Sequence, residues 1–112
     1  MSDLTVVSPR GSITIARDVV ADVVAETAAR CYGVVGLAPR SRVGRLLRRD
    51  GITIGGDAAG MRIGLRVVVE YGLNLAEVAA TVRSQVSYDV ERLTGLPVDA
   101  VEVVVEDVRV SA

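Results

Sequence analysis

Two periods of hydrophobic and polar residues alternate along this chain. Residues 11 to 16, GSITIA, repeat every second position, with Ile13 and Ile15 on one side and Ser12 and Thr14 on the other. This predicts a short half-buried strand. The period then lengthens. Val20, Val24, Ala28 and Cys31 form one stripe with Val19 and Val23 beside it, while Asp22, Glu26 and Arg30 fall elsewhere. That spacing predicts an amphipathic helix over residues 17 to 32, weakly capped at Ala16 and stopped at Gly33.

A short apolar connector, GVVGLAP, ends at Pro39 and has room for a few extended residues. In RSRVGRLLRR, 40 to 49, Val43, Leu46 and Leu47 stand at helical spacing among arginines, which fits a short basic helix weakened by Gly44. GITIGG, 51 to 56, reads as a second strand with Ile52 and Ile54 inward. In MRIGLRVVVEY, Met61, Ile63, Leu65, Val67, Val69 and Tyr71 share one face and Arg62, Arg66 and Glu70 the other, the clearest strand in the chain.

Asn74 and Glu77 form a capping-box-like pair ahead of a stripe of Leu75, Val78, Ala79, Val82, Val86, Val90 and Leu93. Gly95 and Pro97 close this helix, with Leu96 free to fold back on its last turn. The last strand, VDAVEVVVEDVRV, carries Val101, Val103 and Val105 on one face. Its apolar parity shifts beyond Glu106 and Asp107, which predicts a bulge or bend.

The element order predicts an α+β fold. It is a two-layer sandwich, a mostly antiparallel sheet of about four strands with two main helices on one face. Residues 1–10 read as an N-terminal extension and residues 11–110 as a single domain, one domain being what 112 residues allow. The uncovered face would carry Ser12, Thr14, Thr53, Arg62, Gly64, Arg66, Val68, Glu70, Glu102 and Val104, mixed enough to meet water or a partner.

Composition changes this picture in three respects. Phe and Trp are absent from a chain that is 50% hydrophobic, so the core must be built from small branched side chains, mainly Val. The net charge of −1 leaves local clustering as the only source of electrostatic attraction. Neither His nor Lys occurs, which removes the commonest general base, metal ligand and Schiff-base nucleophile. No catalytic role, metal or cofactor is expected. Cys31 is the only cysteine, so no internal disulfide can form, and its place on the first helix's apolar stripe makes it a buried structural thiol rather than a redox group. The opening residues do not resemble a secretory signal, and no apolar run reaches the roughly 18 residues of a membrane span. A cytoplasmic setting follows as the expectation.

The remaining polar clusters have ordinary readings beside functional ones. Glu102, Glu106 and Asp107 could hold a cation or serve acid–base chemistry, but the simpler reading is a solvated strand edge. GITIGGDAAG lacks the ending of a phosphate loop and leads into a strand, so a hairpin turn is expected. Tyr32, Tyr71 and Tyr88 fall at element ends or on a helix surface and are expected to pack with their hydroxyls in water. The cluster Arg40, Arg42, Arg45, Arg48 and Arg49 is a candidate for anions or an acidic partner: headgroups, nucleic acid or protein. A solvated face remains its plain alternative, and the lack of nearby aromatics counts against single-stranded RNA.

Taken in order, GSITIARDVVADVVAETAARCYGVVGL, GITI, VEYGLNLAEVAATVRSQVSYDVERLTGLPV and VEVVVEDV resemble the alkaline shock protein family, the YloU-like envelope stress response proteins of bacteria. The resemblance spans roughly residues 11 to 108. Its most specific parts are Tyr71, Gly72 and Asn74, then Thr94, Gly95 and Leu96, and the closing Val-rich strand. The chain departs in having Ala16 where a capping Ser is common, no Lys, and no extended polar tail. The resemblance implies a cytoplasmic, non-enzymatic interaction or scaffold protein of envelope homeostasis. Such a protein would self-associate or bind a membrane-anchored partner, peripheral to the membrane. Candidate contacts are then the sheet-face residues Arg62, Arg66, Val68 and Glu70. A nucleic-acid-binding module using the segment from Arg40 to Arg49 is the alternative.

Overall fold

The computed structural model describes residues 3–38 and 51–110. In chain order the elements are β1 (Leu4–Ser8), β2 (Gly11–Ile15), α1 (Arg17–Arg30), β3 (Val34–Leu37), β4 (Ile52–Asp57), β5 (Gly60–Glu70), α2 (Leu75–Thr94) and β6 (Val98–Arg109). This is the expected α+β fold.

β5 is the axis of the main sheet. β3 and β4 lie end to end along one of its edges, both antiparallel to it, with Leu37 opposite Val67 and Ile52 opposite Leu65. They meet at Arg66, whose N–H donates to the Gly51 carbonyl at 2.9 Å and whose carbonyl accepts from the Ala38 N–H at 2.8 Å. β6 occupies the other edge of β5 and runs parallel to it, from Met61 opposite Val98 to Glu70 opposite Arg109. The four-stranded sheet is mostly antiparallel, as expected, since two of its three pairings run that way and β6 is the exception. The reason is the length of α2. Its 20 residues retrace about 30 Å, close to the roughly 36 Å of the 11-residue β5. The chain is thereby returned to the end where β5 began, and β6 can only run alongside in the same direction.

Alternation along β5 divides the two faces. Met61, Ile63, Leu65, Val67 and Val69 are each at most 2% exposed and meet Val20, Val24 and Ala28 of α1 and Val78, Val82, Val86 and Val90 of α2. Burying each Val or Leu is worth about 1.5–3 kcal/mol. With no large aromatic to fill space, close helix–sheet contact has to come from these small branched side chains. The apolar stripes were legible, although their margins are not buried: Val19 is 50%, Leu75 41% and Leu93 57% exposed.

The helix termini follow local chemistry. Asn74 Oδ1 accepts from the Glu77 N–H at 3.0 Å, the expected N-cap. Gly95, at φ 74°, ends α2 with its N–H on the Glu91 carbonyl, and Leu96 turns back into the core at 7% exposure. α1 begins without a side-chain cap at Ala16 and stops two residues early, because Cys31 is already extended. Gly33 then has two reasons to be glycine. Its φ is +88°, and an added Cβ would lie 2.7 Å from Leu73 Cδ1.

The N-terminus departs most from expectation. Within residues 1–10, Leu4–Ser8 forms a strand, and it pairs with β2 in a separate two-stranded sheet, Leu4 opposite Ile15 and Val6 opposite Ile13. Neither strand joins the main sheet. Leu4 is anchored in the core at 1% exposure, but Ile13, expected inward, is 67% exposed. Strand alternation was therefore right while the surface it faces was not. The β4–β5 connection is the expected hairpin turn, closed by Asp57 Oδ1 accepting from the Ala59 N–H at 2.9 Å.

Candidate interaction surface

The uncovered face of the sheet carries Thr53 from β4, Arg62, Gly64, Arg66, Val68 and Glu70 from β5, and Glu102, Val104 and Glu106 from β6. Pairing against β5 shifts by one residue between Val67, opposite Val105, and Val68, opposite Asp107. Glu106 is the extra residue, so the parity change in the sequence is a β-bulge. The bulge aims Glu106 at Arg66. The guanidinium donates from Nη2 to Oε1 at 2.6 Å and from Nε to Oε2 at 3.3 Å, a bidentate pair that is still more than one-third open to solvent. A pair this exposed orients a surface more than it stabilises a fold.

Of the four sheet-face residues singled out from the sequence, Arg62 is exposed, Arg66 and Glu70 are half-buried, and Val68 is not available. It is 4% exposed, lying mid-sheet between Gly36 of β3 and Asp107 of β6 with Arg66 and Glu70 flanking it on its own face. Alternation shows which way a side chain points, and it does not show how deep its surroundings bury it. Gly64 lowers the middle of the face into a shallow groove between Thr53 and Glu102; a Cβ there would come 2.7 Å from Thr53 Oγ1. Arg40, Arg42, Arg45, Arg48 and Arg49 lie outside the described residues.

Glu106 is held by Arg66, and Asp107 Oδ1 accepts from the backbone N–H of Val108 at 2.8 Å. Among the described residues no group of three Cys, Asp or Glu is placed to hold a metal ion. Cys31 is buried, as expected, and its Sγ lies 3.4 Å from the Thr27 carbonyl. Burial pushes its thiol pKa up, and the nearby Asp89 carboxylate adds to the effect. The tyrosines Tyr32, Tyr71 and Tyr88 are all largely exposed.

Two polar features escaped sequence reasoning. Asp89, 9% exposed, sits inside the helix–helix contact, where its Oδ2 accepts from Thr27 Oγ1 at 2.8 Å and its Oδ1 from Gln85 Nε2 at 3.2 Å. The available signal was spacing, since Asp89 follows Val82 and Val86 on the apolar stripe of α2. Arg17, at the start of α1, straps β4 by donating to the carbonyls of Ile54 and Gly56 at 3.0 and 2.9 Å. Nothing local announces that contact.

The rim of the sheet beside α2 is open. β6 pairs with β5 alone among the described strands, so its other edge is left without a strand partner, with the N–H groups of Val98 and Val108 near its two ends taken by Glu91 Oε2 and Asp107 Oδ1. α2 overhangs this edge and lines a groove with Ala76, Ala80, Arg83, Ser84 and Ser87, opposite Val98, Val101 and Val103 of β6.

Residues 5–110 match the model of a family described as ASP23, cell envelope-related function. The chain belongs to the alkaline shock protein family. Relatives of this type include the uncharacterized protein YloU of Bacillus subtilis (strain 168), 33% identical over 109 residues, covering 90% of this chain and 91% of that one. The uncharacterized protein Spy1614 of Streptococcus pyogenes serotype M6 is 31% identical over 108 residues, covering 89% of each. The family's match takes in β1 from Thr5 onward.

Among solved structures, MamM CTD chains share the fold. One variant superposes with a TM-score of 0.54 at 14% identity over 81% of this chain and 94% of its own. A zinc form gives 0.52 at 16% identity over 81% and 85%. Identities this low speak for architecture alone. No helix among the described residues is long and apolar enough to cross a membrane.

Proposed function

We propose that this member of the alkaline shock protein family is a non-enzymatic interaction protein of the cell envelope, working by self-association or by binding a membrane-anchored partner. The observation that carries this reading is the β1–β2 hairpin. Its apolar face starts in the core at Leu4 and continues outward to Val6, 40% exposed, and Ile13, 67% exposed. A two-stranded ribbon is only marginally stable in water, and an apolar face extended beyond the body of the domain gains most when a second protein covers it. Family membership supplies the envelope context. The mixed outer sheet face, with Arg62 and the Arg66–Glu106 pair, offers a further, polar contact region.

Light scattering on protein eluting from a sizing column at low salt tests this, with absorbance read at 260 and 280 nm. The chain has three Tyr and no Trp, so even slight nucleic-acid carry-over would dominate the ratio. The expected result is a clean spectrum and a mass well above 11.8 kDa, or capture by a membrane-anchored relative. A strictly monomeric protein that no such relative retains, or a 260 nm signal removed by salt, would overturn it.

A further inference from the structure

We infer that the β1–β2 hairpin of one copy docks along the free edge of β6 in a second copy, in the groove that α2 overhangs. The inference rests on the self-association reading and specifies its two surfaces.

Both surfaces are incomplete in complementary ways. The hairpin carries alternating side chains with Val6 and Ile13 exposed on one face, and neither of its outer edges is paired among the described strands. Between Val98 and Val108, whose N–H groups are held by side chains, β6 carries an edge that no described strand pairs, beside half-buried Val101 and Val103. A strand added there places every second side chain on the α2 side, where Ala76, Ala80 and Ser84 leave space beside Arg83 for branched residues such as Ile13. Length also fits. The five residues of β2 span about 17 Å, well inside the roughly 40 Å of β6.

Charge selects this occupant over a symmetric one. Glu106 is held by Arg66, but β6 still carries Asp99, Glu102 and Asp107 against the single Arg109, so pairing two β6 edges would bring carboxylates together. In residues 4 to 15 the only charged group is Arg10, at the hairpin tip, which an acidic edge attracts. Because each copy presents one arm and one groove, the contact is head-to-tail. Such a contact closes into a ring or extends as a filament, according to the rotation between copies.

The test uses two single variants of the full chain, Ile13→Glu on the arm and Ser84→Trp in the groove. Val6→Glu and Ala76→Trp serve as second variants, and far-UV circular dichroism verifies the fold of each. Light scattering is expected to show an assembling wild type and loss of each variant to the 11.8 kDa monomer. Mixing Ile13→Glu with Ser84→Trp should restore a 1:1 pair and nothing larger, since the mixture contains one intact arm and one intact groove. Three results count against the inference. If folded variants assemble as the wild type does, these surfaces are not the contact while self-association stands. If the variants are monomeric but the mixture stays so, the contact is not arm to groove. A wild type that is monomeric throughout removes the self-association reading along with this one.

Discussion

Replacing Thr27 with Val tests whether the polar link between the helices contributes to stability. Thr27 is 3% exposed, and its hydroxyl donates to Asp89 Oδ2 at 2.8 Å. Val keeps the shape and removes the donor. Asp89 Oδ1 retains Gln85 Nε2 at 3.2 Å and Arg92 Nη2 at 3.7 Å, so the loss is confined to one carboxylate oxygen. A buried hydrogen bond to a charged group is worth about 1.5–3 kcal/mol, and the added methyl returns part of that by apolar burial. We expect Thr27→Val to lower unfolding stability by about 1–3 kcal/mol. Thr27→Ser, which keeps the donor, should recover the hydrogen-bond part. The assay is urea unfolding followed by ellipticity at 222 nm, since no Trp is available for fluorescence. The double variant Thr27→Val, Asp89→Leu should cost less than the sum of the two single changes, because removing both polar partners leaves neither one buried alone. A Thr27→Val protein within about 0.5 kcal/mol of wild type, or strictly additive costs, would refute this account.

Cys31 has a folded-state pKa above its unfolded value, so its stability contribution is fully present below the unfolded pKa and is lost as pH rises through the folded pKa. Wild type should therefore lose more stability than Cys31→Ala between pH 8 and pH 10, and Asp89→Asn should speed alkylation of the native thiol; equal pH slopes would count against it. Gly33→Ala meets a positive φ, while the Leu73 methyl 2.7 Å from the new Cβ can turn aside, so it should cost about 1–2 kcal/mol in the same urea assay. Asn74→Ala removes the N-cap of α2 and should cost about 1 kcal/mol. Arg66→Ala, by contrast, breaks an exposed pair and should change stability by less than about 1 kcal/mol, with a larger loss showing that the pair is better shielded than its exposure suggests.

The sequence by itself determined the local elements. Periodicity and caps marked α2 from Asn74 to Gly95, alternation marked β5, and the parity change at Glu106 marked the bulge, because each of these signals is carried by residues a few positions apart. It also determined that Cys31 would be buried, through its place on a stripe. Only the tertiary structure decided which elements those patterns would face. The parallel direction of β6, the pairing of β1 with β2 outside the main sheet, the burial of Val68, the strap from Arg17 to β4 and the meeting of Thr27 with Asp89 all join positions distant in the chain. The candidate contact surface was correspondingly half legible. Arg62 and Arg66 were read from alternation on β5, whereas the groove beside β6 and the exposed face of the hairpin exist only once the strands have chosen their neighbours. A pattern of apolar residues records that a face will be covered, but the covering element is selected by chain length, crossover geometry and competing surfaces, none of which any short stretch of sequence contains.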